Sequence, residues 1–261
     1  MKQKTKLLAG RLVEVVSRWP GVECVTLNEA ALPDTLDPYF ALILDVFYSG
    51  NIPGSDERCH LFGEDVAAFE TSGEGAKDRF LLGDVPVRLE YKSTGSIEER
   101  VSFADEKLDS LWLIKDAGTY GFYRLEHGES LYSRSGWIDN IRNRLSLLSG
   151  RFWEGMRAAH QSKMEHYLGD LGAACYQQDK FHYLISSAGF IKTACLTLFC
   201  INRRFEPSHR AYYKQVLALP VLPESFRAEF ETFLGQDPVM DMERRYSVAQ
   251  LIARGIVGLI S

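Results

Sequence analysis

Two acidic residues lie in segments that the sequence otherwise predicts to be buried strands. Asp45 interrupts the apolar run 40–48, and Glu90 lies in the alternating stretch 85–92. A buried carboxylate is costly unless a cation, a metal ion or hydrogen-bond donors compensate its charge. Carboxylates on neighbouring strands form a natural site for Mg²⁺, which prefers acidic oxygens together with substrate phosphates. The pair therefore predicts a catalytic magnesium site. The alternative is that Asp45 forms an ion pair with a basic residue such as Arg88, or lies at a strand end in water.

The segment 199–210 is the second place where chemistry is expected. Asn202 ends a predicted apolar helix there, and three arginines follow it: Arg203, Arg204 and Arg210. Pro207 and the serine after it are typical of a helix start, where free backbone N–H groups attract anions. Arginine forks complement phosphate. We therefore expect this segment to bind phosphate or substrate; the alternative is a corner between two helices whose arginines are solvated.

Arg204 and His209 are separated by four residues. This spacing resembles that of the HEPN helical ribonucleases, in which histidine and arginine serve RNA cleavage. Pro207 lies between the two residues and does not suit a motif carried on one continuous helix. RNA cleavage is therefore kept as a third hypothesis.

Composition excludes several other classes. The net charge of −5 gives no overall basic field, so strong non-specific binding of nucleic acid is not expected. The 5 cysteines form no CxxC pair, which argues against a disulfide framework and a structural zinc site. The sequence also lacks the spacings of zinc enzymes, serine hydrolases, dinucleotide-binding folds and P-loops.

The elements that must position these residues are predicted from hydrophobic periodicity. The segment 4–19 is typical of an amphipathic helix, and strands are predicted over 22–27 and 40–48, within 58–70, and within 78–92. A hairpin is predicted at 122–132. Further segments have helical periodicity: 96–116, 136–165, 166–180, 181–202, 208–218 and 223–235. Strands first and helices afterwards indicate an α+β protein, with a small mixed-sheet domain over 1–100 and a helical bundle over 101–261.

The N-terminal segment has no uninterrupted apolar stretch that would serve as a signal peptide. The most apolar segment, 185–201, contains Lys192 and is predicted to be too short and too polar to cross a bilayer. We therefore expect a cytoplasmic protein without membrane contact.

The C-terminal half resembles the helical domain attached to small bacterial nucleotidyltransferases of the DNA polymerase β superfamily, a group that includes relatives of the antibiotic adenylyltransferases. The similar stretches are 130–136, 179–183, 196–210 and 219–223. Within the third stretch, the positions matching the family pattern are Asn202, Phe205, Pro207 and Arg210.

The N-terminal half resembles the nucleotidyltransferase domain in the order of its elements. That superfamily carries a Gly-Ser pair after the first strand, two aspartates on the second, and a third carboxylate on a later strand. Here Asn28, Glu29 and Ala30 stand in place of Gly-Ser, the second strand offers Asp45 alone, and Glu90 matches the third carboxylate.

The resemblance implies Mg²⁺-dependent transfer of a nucleotide from a nucleoside triphosphate to an unknown acceptor, because such transfer needs metal to neutralise the triphosphate. Asp45 and Glu90 would be the catalytic residues and metal ligands, with Asp37 or Glu29 assisting from a loop. Asn202 and the three arginines would contact phosphate or acceptor. The incomplete motif leaves a second hypothesis open, a catalytically inactive protein of this fold that binds a ligand or a protein partner.

Overall fold

The computed structural model describes residues 3–28, 40–235 and 241–260. The chain divides into two compact units. The first comprises residues 1–107 and 121–148, and the second comprises residues 108–120 and 149–261. Each unit is described by itself.

The first unit is built on a six-stranded sheet with the order β3-β4-β5-β2-β1-β6. Its strands are β1 (Val22–Leu27), β2 (Leu42–Tyr48), β3 (Val66–Ser72), β4 (Lys77–Leu82), β5 (Val85–Ser93) and β6 (Glu129–Ser133). β2 and β5 run parallel, and the other neighbours are antiparallel, so the sheet is mixed. A mixed sheet in the first half and helices in the second confirm the predicted α+β class.

The two faces of this sheet differ because side chains alternate along each strand. One face carries Leu42, Leu44 and Val46, which pack in the same buried core as the apolar side of α1 (Gln3–Val16). The opposite face carries Asp45 and Glu90, and we call it the polar face. Asp45 and Glu90 therefore share one face of the sheet.

Four further helices belong to the first unit: α2 (Ser55–Phe62), α3 (Thr94–Asp105), α5 (Tyr120–His127) and α6 (Trp137–Ser146). Within 58–70, where strand and connector were predicted, the strand β3 begins at Val66, but residues 55–62 form α2. Asp56 and Glu57 lie in the first turn of α2, where acidic side chains favour a helix. The predicted hairpin at 122–132 was wrong. Residues 120–127 form α5, and only β6 is extended, since it pairs with β1.

The second unit contains a short 3₁₀ helix, Leu108–Ser110, and six α-helices. These are α4 (Trp112–Ala117), α7 (Gly150–Gln177), α8 (Lys180–Ile201), α9 (Tyr212–Val216), α10 (Phe226–Leu234) and α11 (Met242–Gly258). The side chain of Asp179 accepts hydrogen bonds from the backbone N–H groups of Phe181 and His182, which fixes the start of α8. Buried residues of α7, α8, α10 and α11 form one core.

Several boundaries differ from the predictions. α7 continues through the break predicted at residue 165, and α11 was not predicted. The helix predicted over 208–218 is reduced to the five residues of α9. The domain boundary predicted near residue 100 differs from the observed division chiefly because residues 121–148 belong to the sheet unit, where β6 pairs with β1.

Within the described ranges, α8 is a helix long and apolar enough to cross a membrane by length and composition. The prediction that the segment 185–201 is too short and too polar to cross a bilayer was therefore wrong by length and composition, because α8 extends over 22 residues from Lys180 to Ile201. However, 56% of its most apolar window is buried inside the protein, as in the core helix of a soluble protein.

Candidate functional site

The sheet brings Asp45 and Glu90 together. β2 and β5 are adjacent, and the parallel register pairs Asp45 directly with Glu90. Thr26 of β1 faces Asp45 from the other side, so the three residues form one row across the polar face. Asp45 is fully buried. Its charge must therefore be compensated inside the protein.

Arg124 of α5 compensates both acids. Its Nε donates to Asp45 Oδ2 at 3.0 Å, and its Nη1 donates to Glu90 Oε2 at 2.8 Å. Its Nη2 also donates to Asp45 Oδ1. Arg124 is itself 9% exposed. The guanidinium thus bridges the two carboxylates with charge-assisted hydrogen bonds, the strongest class in proteins.

Lysines complete the cluster. Lys92 Nζ lies 2.8 Å from Asp45 Oδ1 and 3.6 Å from Glu90 Oε2, and Lys77 Nζ lies 3.7 Å from Glu90 Oε1. Burial alone would raise the pKa of Glu90, but attraction to Arg124, Lys92 and Lys77 outweighs burial and lowers it. Glu90 is therefore held in the ionised form by side chains of this chain.

This arrangement does not fit a resident Mg²⁺ ion. Mg²⁺ requires oxygen ligands in near-octahedral geometry, and both Asp45 oxygens already accept from Arg124, with Lys92 beside one of them. A divalent cation added there would meet the positive charges of Arg124 and Lys92 at short range. In the part of the chain that the structure describes, groups of three or more metal-ligating side chains are absent. Glu29 and Asp37, expected to assist, lie outside the described residues.

The alternative interpretation anticipated a basic partner for Asp45, although it proposed Arg88 rather than Arg124 and Lys92. Lys92 could have been found, because the alternation along β5 places it on the same face as Glu90. Arg124 could not have been predicted from the sequence as a partner of Asp45, because the two residues are 79 positions apart and Arg124 lies in a segment predicted to be a hairpin.

The polar face also contains polar atoms that have no hydrogen-bond partner among the residues the structure describes. Asn28, directly after β1, is 2% exposed, and neither its Oδ1 nor its Nδ2 is bonded within the described ranges. The Thr26 hydroxyl and the Arg88 Nε are buried and likewise have no partner there. Nearly all buried polar atoms in folded proteins are hydrogen-bonded, so these atoms require an explanation.

The predicted phosphate-binding residues of 199–210 belong to the second unit. Asn202 has a structural role: its Nδ2 donates to the carbonyl oxygens of Leu198 and Val221 at 2.8 and 2.9 Å, and its Oδ1 accepts from the Val221 N–H at 2.8 Å. Its amide is therefore occupied by backbone.

The three arginines are exposed: Arg203, Arg204 and Arg210. Arg203 has a positive φ of 52° and lines a shallow cavity of about 190 Å³ with Glu154 and Arg157. The helix start predicted at Pro207 does not form: residues 203–211 are turns and irregular chain, and the next helix, α9, begins at Tyr212. The helix N-terminus expected to attract an anion is therefore missing at that position.

Arg204 and His209 do not share a helix, since both lie in this non-helical connection. His209 is exposed, its Nε2 lies 3.9 Å from Glu206 Oε1, and its ring contacts Tyr212 edge-on. Neither contact brings it to Arg204.

No protein-family model and no curated protein matches this sequence. Among solved structures, the chain is similar to a nucleotidyltransferase-like protein from Exiguobacterium sibiricum 255-15. The two sequences are 12% identical, and the match covers 98% of this chain and 74% of that chain with a TM-score of 0.49.

Proposed function

We propose that this chain is a non-catalytic binding protein with a nucleotidyltransferase-like sheet, and that it binds a ligand through the polar face. The observation that carries the proposal is the bridge from Arg124 to Asp45 and Glu90. In this cluster a guanidinium and an ammonium neutralise the two acids that a transferase would need for its metal.

The physical argument rests on burial. A charge removed from water is tolerated only when excellent geometry and further hydrogen bonds compensate it. Asp45 is fully buried, with Arg124 and Lys92 on its oxygens. An incoming metal would first have to separate these ion pairs and then leave Arg124, also buried, without its partner. The cluster therefore supports a permanent ion-pair network rather than a metal site awaiting its ion.

One observation favours the second candidate, Mg²⁺-dependent transfer from a nucleoside triphosphate to an unknown acceptor. Asp45 and Glu90 are directly paired on neighbouring strands, as a shared ion would require. For this function, Arg124 and Lys92 would have to leave the carboxylates when metal and nucleotide arrive.

A transfer assay separates the two candidates. Purified protein is incubated with Mg²⁺ and each labelled nucleoside triphosphate, with water, small hydroxyl compounds and protein hydroxyls as acceptors. We expect no product above that of an Asp45→Asn variant. Metal-dependent product formed by the wild type and lost in Asp45→Asn would overturn the proposal and establish the second candidate. Asp65→Asn is the matched control, because Asp65 forms an exposed ion pair with Arg11 away from the polar face.

A further inference from the structure

The polar face contains a second row of residues beside the acid cluster, and its side chains are incompletely satisfied. The backbone N–H of Asn28 donates to the carbonyl oxygen of Ile43 at 3.1 Å, which continues the β1–β2 register by one residue. Ile43 pairs with Arg88 on β5, and Arg88 pairs with Arg79 on β4. Asn28, Ile43, Arg88 and Arg79 therefore follow one another across four strands.

The amide of Asn28 is the first unexplained group in this row. It is 2% exposed, and neither its donor nor its acceptor atom is bonded to any residue that the structure describes. Leaving such a group unpaired costs free energy, whereas an apolar side chain of similar size would avoid the cost. A buried amide with both atoms unbonded is therefore suited to a ligand group that accepts one hydrogen bond and donates another.

The guanidinium of Arg88 is the second unexplained group in this row. It is half-buried. Within residues 3–28, 40–235 and 241–260, its Nε has no hydrogen-bond partner and the side chain forms no ion pair, in contrast to Arg124 and Lys92, which pair with Asp45 in the neighbouring row. An arginine fork held in this way complements an oxyanion such as phosphate or carboxylate.

Charge and spacing agree with such a ligand. Arg79, beside Arg88, is exposed and adds a second positive charge. The carboxylate of the row, Glu70, is opposite Arg79 at the far side of the sheet from Asn28. Adjacent strands are about 4.8 Å apart, so Asn28 and Arg88, two strands apart, are separated by roughly 10 Å. A small molecule spans that distance, and Ile43 between them offers it an apolar surface.

We propose that this row binds a small oxyanion-bearing molecule without metal: Arg88 holds its phosphate or carboxylate group, and Asn28 holds a neighbouring hydroxyl or amide group. The inference rests on the proposed binding function of the polar face and adds the class of ligand. It differs from a nucleotide site based on metal, because the anion is neutralised by arginine.

The test measures binding of inorganic phosphate, pyrophosphate and citrate in EDTA, at constant ionic strength, by thermal unfolding and by calorimetric titration. We expect at least one of them to raise the melting temperature of the wild type. Phosphate and pyrophosphate acting alone identify a phosphorylated ligand, and citrate acting alone identifies a carboxylate ligand. Arg88→Gln should weaken binding about tenfold or more, since it removes a charge-assisted hydrogen bond. Arg254→Gln, the same change at an exposed arginine of the second unit, should leave binding unchanged.

Asn28→Leu provides an independent variant. It should raise the melting temperature of the ligand-free protein, because an unbonded buried amide is removed, and it should weaken binding. Two results would overturn the inference: none of the three anions binds the wild type in EDTA, or binding is equal in wild type, Arg88→Gln and Asn28→Leu. Failure of the non-catalytic proposal is seen separately, as Mg²⁺-dependent transfer in the assay above.

Discussion

Arg124 Nε donates to Asp45 Oδ2 at 3.0 Å across 79 residues of sequence, and both side chains are buried. This contact holds α5 against the centre of the sheet. It also favours an ion-pair network over a metal site as the role of Asp45 and Glu90. Breaking a buried ion pair by removing one partner typically costs about 3–5 kcal/mol, because the other charge is left uncompensated.

Arg124→Gln should therefore lower the free energy of unfolding by about 3–5 kcal/mol. Urea denaturation measures this change. The exposed pair between Arg18 and Glu14 supplies the control, since Arg18→Gln should cost less than about 1 kcal/mol. If the two variants were equally stable, Arg124 would not be the compensating charge for Asp45. Pairing Arg124→Gln with Asp45→Asn in a double-mutant cycle should recover part of the loss, because the unpaired carboxylate is then absent.

A second buried ion pair gives an independent prediction. Arg58 Nε and Nη2 donate to Asp78 at 2.7 and 2.9 Å, and the Tyr91 hydroxyl donates to the same carboxylate at 2.7 Å. Asp78→Asn should destabilise the protein by about 3–5 kcal/mol, because Arg58 remains buried without its counter-charge. The loss should appear in equilibrium unfolding. An effect no larger than that of the exposed control Asp65→Asn would contradict this role.

Asn202 was expected from sequence to bind phosphate, but in the structure its amide is hydrogen-bonded to backbone. A substitution at this position distinguishes the two roles. Asn202→Ala removes the hydrogen bonds to Leu198 and to the backbone of Val221, and should cost about 1–3 kcal/mol. Arg204→Gln, at an exposed neighbour, should change stability little. Thermal unfolding of both variants is the measurement; unchanged stability of Asn202→Ala would show that the amide does not support this corner.

The stability of the second unit should depend on pH through His160. Burial, assisted by the positive charges of Lys163, Lys192 and Lys115, lowers the pKa of His160 from 6.5 to about 4. Between these two values the unfolded chain binds a proton that the folded chain does not, so stability is complete above pH 6.5 and falls as the pH decreases toward about 4.

Replacement of His160 by leucine should make the free energy of unfolding fall less steeply between pH 6.5 and about 4. Chemical denaturation at a series of pH values measures it for the wild type and for His160→Leu. His166→Leu, at an exposed histidine of the same helix, serves as the control. Equal slopes in the wild type and His160→Leu would contradict the assignment.

A local pattern predicts only part of the site. The apolar run 40–48 and the alternation along 85–92 predicted that Asp45 and Glu90 lie in strands, because strand side chains follow a fixed period of two. Their direct pairing depends on the order of the strands in the sheet, which no local period indicates. Their counter-charge from Arg124 depends on a contact distant in sequence, and no local period indicates such a contact.

The helical elements show the same limit. α8 was predicted nearly to its ends, since its apolar residues are continuous and Asp179 marks its start. α5 was mistaken for part of a hairpin because its eight residues contain a short mixture of aromatic and polar residues that either structure accommodates. α9 is short because the turns after Asn202, including the positive φ at Arg203, delay helix formation until Tyr212.

We propose that Arg124 and Lys92 neutralise the acid pair, which then holds no catalytic metal. The most direct test is thermal unfolding of wild type and Asp45→Asn across Mg²⁺ concentrations, with each nucleoside triphosphate. A ligand that binds the native state at a hundredfold excess over its dissociation constant stabilises by about 2.7 kcal/mol. We predict no Mg²⁺-dependent rise in the melting temperature of the wild type. A metal-dependent rise that disappears in Asp45→Asn would contradict the account.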